Sequence, residues 1–159
     1  MTLIYLEKYQ IKKQSSMNNQ PVIVEKVFDT TVQKVWDALT DNKQLKQWYF
    51  VLPEFRAETG FGFQFLGGKE DGTQYLHLCK VTKVVPGKIL AYSWKFDGYL
   101  GTSFVMFELA EVGDKTKLTV THSGLETFIP FNHDFSKEEF LKGWTAILNT
   151  SLKDFLAKD

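Results

Sequence analysis

Three histidines, one cysteine and a scatter of serines and tyrosines are the side chains in this 159-residue sequence with the chemistry to attack, ligate or relay protons. His122 lies in the run "KLTVTHSG" (117–124), on the same strand face as Leu118 and Val120, so its ring points inward. There it is either a hydrogen-bonded core histidine, as buried polar groups generally are, or a polar contact at the mouth of a pocket. Ser123 does not complete a Ser–His pair with it, because neighbours along a strand face opposite sides. His77, His122 and His133 fit no metal-ligand spacing, neither H-x-x-x-H nor H-E-x-x-H. A lone Cys79 leaves no intrachain disulfide and no cysteine-based zinc site. Gly60 and Gly62 each precede a phenylalanine and no G-K-[ST] follows, which argues for a bend in a strand rather than a phosphate cradle. The sequence assembles no catalytic set and implies no metal or cofactor. Binding is the chemistry it leaves.

The aromatic side chains are where binding would reside. Aromatic residues make up 15% of the chain, led by fourteen Phe and four Trp, so either the core is unusually aromatic or a pocket is lined with rings. Trp48, Phe63, Phe65, Tyr75, Trp94 and Trp144 form the candidate lining, joined by His77, His122, Phe128 and Leu148. Nineteen basic and nineteen acidic residues cancel, so nucleic-acid binding lacks its electrostatic footprint. No apolar run reaches membrane-spanning length. The start "MTLIYLEKYQ" lacks a basic flank, a long apolar stretch and a cleavage site, which makes the cytoplasm the default location.

The elements that must position these residues are set by periodicity. Residues 1–20 contain the polar, turn-rich "KKQSSMNNQ" and read as a disordered tail, with Met17 an alternative start; the competing reading makes "LIYLEKYQI" an added edge strand. "PVIVEKVF" (21–28) is β-branched and reads as a strand. Val32, Val35, Trp36 and Leu39 then recur on one helical face, with Thr30 and Gln33 as a capping box. Asp41 caps a second short helix carrying Leu45 and Trp48. A short strand near "EFRAET" comes next, then five longer ones: 60–67, 73–85, 88–96, 102–112 and 115–124. Pro86-Gly87 and Gly113-Asp114 mark tight turns, which implies an antiparallel meander. Ser136 and Glu139 open a last, long helix whose one face holds Phe140, Trp144, Ile147, Leu148, Ser151, Leu152 and Phe155. The fold class expected is α+β, a curved antiparallel sheet gripping a long C-terminal helix, with residues 21–157 as one domain.

That order, with its wording, resembles the helix-grip (START-like, SRPBCC) superfamily, and within it the branch of the activator of heat shock protein 90 ATPase. The likeness rests on "VWDALTD" (35–41) with Trp48, "GFGF" (60–63), "VTKVVPGKILAYSW" (81–94), "TKLTVTHSG" (116–124) and "GW" (143–144) followed by Leu148 and Leu152. It implies a cavity between the sheet and the C-terminal helix, but no shared catalytic residues. Members range from co-chaperone domains to lipid carriers and polyketide cyclases, and the name points toward the stress response.

Three functions stay open at this level. The first is non-catalytic binding of an apolar or amphipathic small molecule, a hydrophobic or aromatic ligand, between sheet and helix. In the second, a chaperone or another protein docks on an apolar outer sheet face, where Leu76 and Leu78 stand. A cyclase or dehydratase using His122 or Tyr75 as acid–base is the third. Nucleic acid and membrane insertion fit none of them. The connector "ETFIPFNHDF" (126–135), too aromatic for a solvated loop and too polar to be buried, is either a lid at the cavity mouth or a packed Ω-loop.

Overall fold

Val22–Phe28 forms β1, where β-branched residues alternate between the core and solvent. The structure, a computed structural model, describes residues 19–69, 71–128 and 133–158. The expected tail therefore lies, up to residue 18, outside the described residues. Helix α1 (Val32–Thr40) is capped by Thr31, whose extended backbone (φ −79°, ψ 157°) lets its side chain accept from the Lys34 amide. The cap is thus one residue later than the Thr30 expected from the sequence. The carbonyl of Thr30 instead accepts the Thr116 hydroxyl at 2.8 Å, tying the turn to the sheet. Asp41 caps α2 (Asn42–Trp48) as expected.

The remaining strands are β2 (Gly62–Gly68), β3 (Gln74–Val85), β4 (Ile89–Phe96), β5 (Ser103–Val112) and β6 (Lys115–Ser123). They join β1 in one antiparallel six-stranded sheet of order β1-β6-β5-β4-β3-β2. Among the described residues no strand forms near "EFRAET": residues 54–61 run through bends and a turn. The chain instead uses α1 and α2 to cross from one sheet edge, β1, to the other, β2. The β3–β4 register slips between Val81 and Lys83. Such a bulge adds a residue to one strand and sharpens its bend and twist. This irregularity sits in β3; of the two glycines expected from the sequence to bend the strand, Gly62 pairs regularly with Lys80, while Gly60 (φ +95°) lies in the turn before β2 and donates its amide to the Val81 carbonyl at 2.8 Å.

The gripping helix, α3, starts at Ser136, whose hydroxyl accepts from the Glu139 amide at 3.3 Å. It is α-helical over Lys137–Ala146, π-helical over Ile147–Leu152 and α-helical again over Lys153–Leu156. An uninterrupted α-helix is the sequence expectation, and the difference has a geometric reason. Trp144, Leu148 and Leu152 are the buried stripe, spaced by four. On an α-helix that spacing drifts about 40° per step. A wider turn opposes the drift and keeps the stripe on the sheet.

The connector from β6 to α3 contains two 3-10 turns, Leu125–Phe128 and His133–Phe135. It is not too polar to be buried: Phe128 and Phe135 are wholly enclosed, and Phe135 stacks on Phe96 with centroids 3.8 Å apart. Gly101 (φ +110°) permits the close fit, since a Cβ there would lie 2.6 Å from the Thr127 carbonyl oxygen.

Candidate functional site: a ring-lined pocket under the helix

Strand alternation turns Tyr75 of β3 and Trp94 and Phe96 of β4 toward α3, whose Phe140, Trp144 and Ile147 face them. Between these two sets lies a pocket of about 380 Å³. The rings of Trp94 and Trp144 stand 5.9 Å apart, inclined at 61°. Lys69, Asp134, Glu139 and Lys142 line the same pocket with charge. The Tyr75 hydroxyl donates to Asp134 Oδ2 at 2.6 Å. Lys69 Nζ stands 3.7 Å from Asp134 and 3.5 Å from Glu139, and Lys142 Nζ lies 3.8 Å from Glu139. Both lysines are largely exposed (58% and 77%), so these contacts are loose and contribute little to stability.

Behind the Trp144 wall runs a fully enclosed polar chain. The Trp144 indole N–H donates to His122 Nδ1 at 3.0 Å. His122 Nε2 lies 2.7 Å from Ser103 Oγ, which itself donates to the Trp94 carbonyl at 3.3 Å. These directions fix the tautomer: Nδ1 accepts, so the proton of the neutral ring sits on Nε2 and is donated to Ser103. Burial pushes the His122 pKa down to about 3, with His77 nearby acting the same way, so the ring stays neutral. A serine nucleophile would need the opposite arrangement, with Nε2 accepting its proton. The sheet thus does pair a serine with His122, but as a hydrogen-bond acceptor.

His77 is also buried and neutral. Its Nδ1 donates to the Tyr75 carbonyl at 2.9 Å, its ring stacks on Phe65 at 4.5 Å, and burial lowers its pKa to about 4. Tyr49 and Tyr92 join hydroxyls at 3.2 Å, and burial raises both pKa values far above the usual phenol range. The Cys79 thiol is pushed up by burial as well. The buried Trp94 indole N–H finds no acceptor among the described residues.

Of the residues singled out from the sequence, Tyr75, Trp94 and Trp144 line the pocket. Trp48, Phe63, Phe65, His77, His122, Phe128 and Leu148 pack in the surrounding core instead. For Phe63 and Phe65 the reason is the chain after α2. Phe50 stacks on Phe65 at 4.6 Å and reaches Phe63 at 5.6 Å, filling the sheet–helix gap there. Trp48 is held by its own indole bond to the Ala38 carbonyl, 2.9 Å. His133 is exposed, whereas His77 and His122 are buried. Phe96, Phe135 and Phe140 line the pocket without having been singled out from the sequence, and so do the charged residues. Phe96 shares the parity of Trp94 and was legible from it. Asp134 and Phe135 belong to the connector read from the sequence as a lid at the cavity mouth, whereas Lys69 carries no such signal, because only the fold brings its loop to that connector. Among the described residues no group of three His, Cys, Asp or Glu side chains is placed to hold a metal ion. No helix among them is long and apolar enough to cross a membrane.

Comparisons with known proteins add a second line. A family model described as activator of Hsp90 ATPase homolog 1-like protein matches residues 29–157. Comparison with curated protein sequences finds no match. Among solved structures the chain is similar to DynU16, a protein in the dynemicin biosynthetic locus, at 25% identity and a TM-score of 0.70, over 86% of this chain and 47% of that one. This chain therefore spans about half the length of that relative. It is similar also to CalU16 from Micromonospora echinospora (25% identity, TM-score 0.65, 85% of this chain and 74% of that one). CV1439 from Chromobacterium violaceum, at 20% identity, shares the fold with a TM-score of 0.73 over 88% of this chain and 99% of that one.

Proposed function

The chain belongs to the family of activator of Hsp90 ATPase homolog 1-like proteins, and on that fold we propose that it binds a small apolar or amphipathic molecule without transforming it. The observation that carries this reading is the ring-lined pocket of about 380 Å³ between β3–β4 and α3. Its volume falls in the range of roughly 300–1,000 Å³ in which proteins hold small molecules, and its apolar walls with a few polar groups match their usual lining. A ligand of this kind lays its apolar body against the wall made by Trp94, Phe140 and Trp144 and turns its polar end toward Lys69, Asp134, Glu139 and Lys142. Likeness to a protein of a biosynthetic locus supports a small-molecule ligand. Titration with anilinonaphthalene sulfonate tests it. Saturable binding with quenched or shifted tryptophan emission, weakened by Trp144→Ala and not by Lys153→Ala, is expected. Equal binding by both variants, or none by the native protein, would sink the reading.

One observation favours a second reading. The Tyr75–Asp134 bond places an acid–base pair in the pocket wall, which suits a cyclase or dehydratase. Turnover of an aromatic precursor, abolished by Tyr75→Phe, would establish that reading over simple binding. A docking role for the outer sheet face has as its support Leu66, 69% exposed and paired across the ladder with Leu76.

A further inference from the structure

The enclosed chain Trp144–His122–Ser103–Trp94 touches both indole walls of the pocket, yet His122 and Ser103 do not line it. We infer that His122 is a positioning residue: it locks the Trp144 ring in place across from Trp94 and occupies its N–H, so that the pocket meets its ligand with a fixed apolar wall. This rests on the binding reading above.

Three observations carry it. The Trp144 ring packs against Tyr49, Trp94 and Phe107, and a directional hydrogen bond adds an angular restraint to that packing. Its N–H has one enclosed acceptor, His122 Nδ1 at 3.0 Å. That acceptor is itself held by a second bond, Nε2–H to Ser103 Oγ at 2.7 Å, and Ser103 is anchored on the Trp94 carbonyl. The strands bearing His122, Ser103 and Trp94 are contiguous in the sheet, in the order β6-β5-β4. One side chain of α3 is thereby referenced to three adjacent strands. His122 also packs edge-on against Trp94 and Phe140, at 5.1 and 4.8 Å, so its ring cannot swing away without moving the pocket wall. A histidine kept only to fill space would need none of these directions. A leucine of similar volume would fill the space and leave the Trp144 N–H buried and unpaired.

The test uses the full chain with nitrogen-15 label. A through-hydrogen-bond coupling between Trp144 Nε1 and His122 Nδ1, with slow exchange of the Trp144 indole proton, is expected in the native protein. Anilinonaphthalene sulfonate affinity is expected to fall about tenfold in His122→Leu, the order set by losing one buried hydrogen bond. His122→Asn, whose side-chain carbonyl can accept the indole N–H, is expected to stay within about threefold of native. Ser103→Ala, which keeps the fold's packing, is expected to speed exchange of the Trp144 indole proton. Absence of the coupling overturns the assignment, as does equal affinity in His122→Leu and native protein. So does an equal loss in the asparagine and leucine variants. If His122→Leu does not fold, the coupling and Ser103→Ala decide alone. Failure of the native protein to bind the probe removes the binding reading, and the coupling then decides the positioning of Trp144 by itself.

Discussion

His77 and His122 hold neutral rings in the folded chain, with pKa values lowered by burial to about 4 and about 3. In the unfolded chain each titrates near its ordinary value of about 6.5. Below that value the unfolded state takes up protons that the folded state refuses, so stability falls as pH falls, until the folded values are reached. Between pH 6 and 5, above the range where most carboxylates titrate, each histidine contributes a slope of up to roughly 1.4 kcal/mol per pH unit. Urea denaturation across that interval should show stability declining with acid, with the slope reduced by about half in His77→Gln. An unchanged slope in that variant would mean that His77 already titrates normally when folded.

At the scale of elements, the β6–α3 connector joins the two roles its sequence left open, packing Phe128 and Phe135 into the core while Asp134 and Phe135 line the pocket. Phe128 and Phe135 are buried to 0% and 1% exposure, and Phe135 meets the rings of Phe96, Tyr75 and Tyr99. Phe135→Ala should therefore cost about 3–5 kcal/mol, the range for emptying a buried ring site. Calorimetry checks this: a loss under about 1 kcal/mol, far below that range, would mean that the connector is detachable from the sheet. Gly101→Ala should destabilise too. A side chain there meets both a left-handed backbone and the Thr127 carbonyl, where neither can yield cheaply. The π turn of α3 belongs to this scale as well, since the four-residue spacing of Trp144, Leu148 and Leu152 suits a sheet only if the helix widens beneath it.

For the whole molecule, the sheet–helix gap is half filled and half open. Tyr49 and Phe50, arriving from α2, close it over Phe63 and Phe65, while the Tyr75–Trp94–Trp144 end stays open. A ligand that enters only the folded state stabilises that state by mass action. At one hundred times its dissociation constant the gain is about 2.7 kcal/mol. Thermal denaturation with and without saturating anilinonaphthalene sulfonate should register that shift in the native protein and much less of it in Trp144→Ala. No shift at saturation would mean that the probe binds the unfolded chain as well as the folded one, and an equal shift in Trp144→Ala that it binds elsewhere on the fold.

Apart from a strand expected near "EFRAET" that does not form, the sequence by itself determined the order of strands and helices, the two short helices, the turns at Gly87 and Gly113 and the inward face of His122, because these depend on local spacing and backbone preference. It also determined the family, through several separated runs in one order. Tertiary structure alone decided which rings meet a pocket and which meet each other. Phe63, Phe65 and Trp94 share one sheet face and one kind of alternation, yet Phe50 covers the first two and not the third. It also gave His122 its serine, Ser103, which lies on the neighbouring strand and not beside it in the chain. Strand register sets such partners across distances in sequence that carry no periodic signal, so the fold was legible where the lining of its pocket was not.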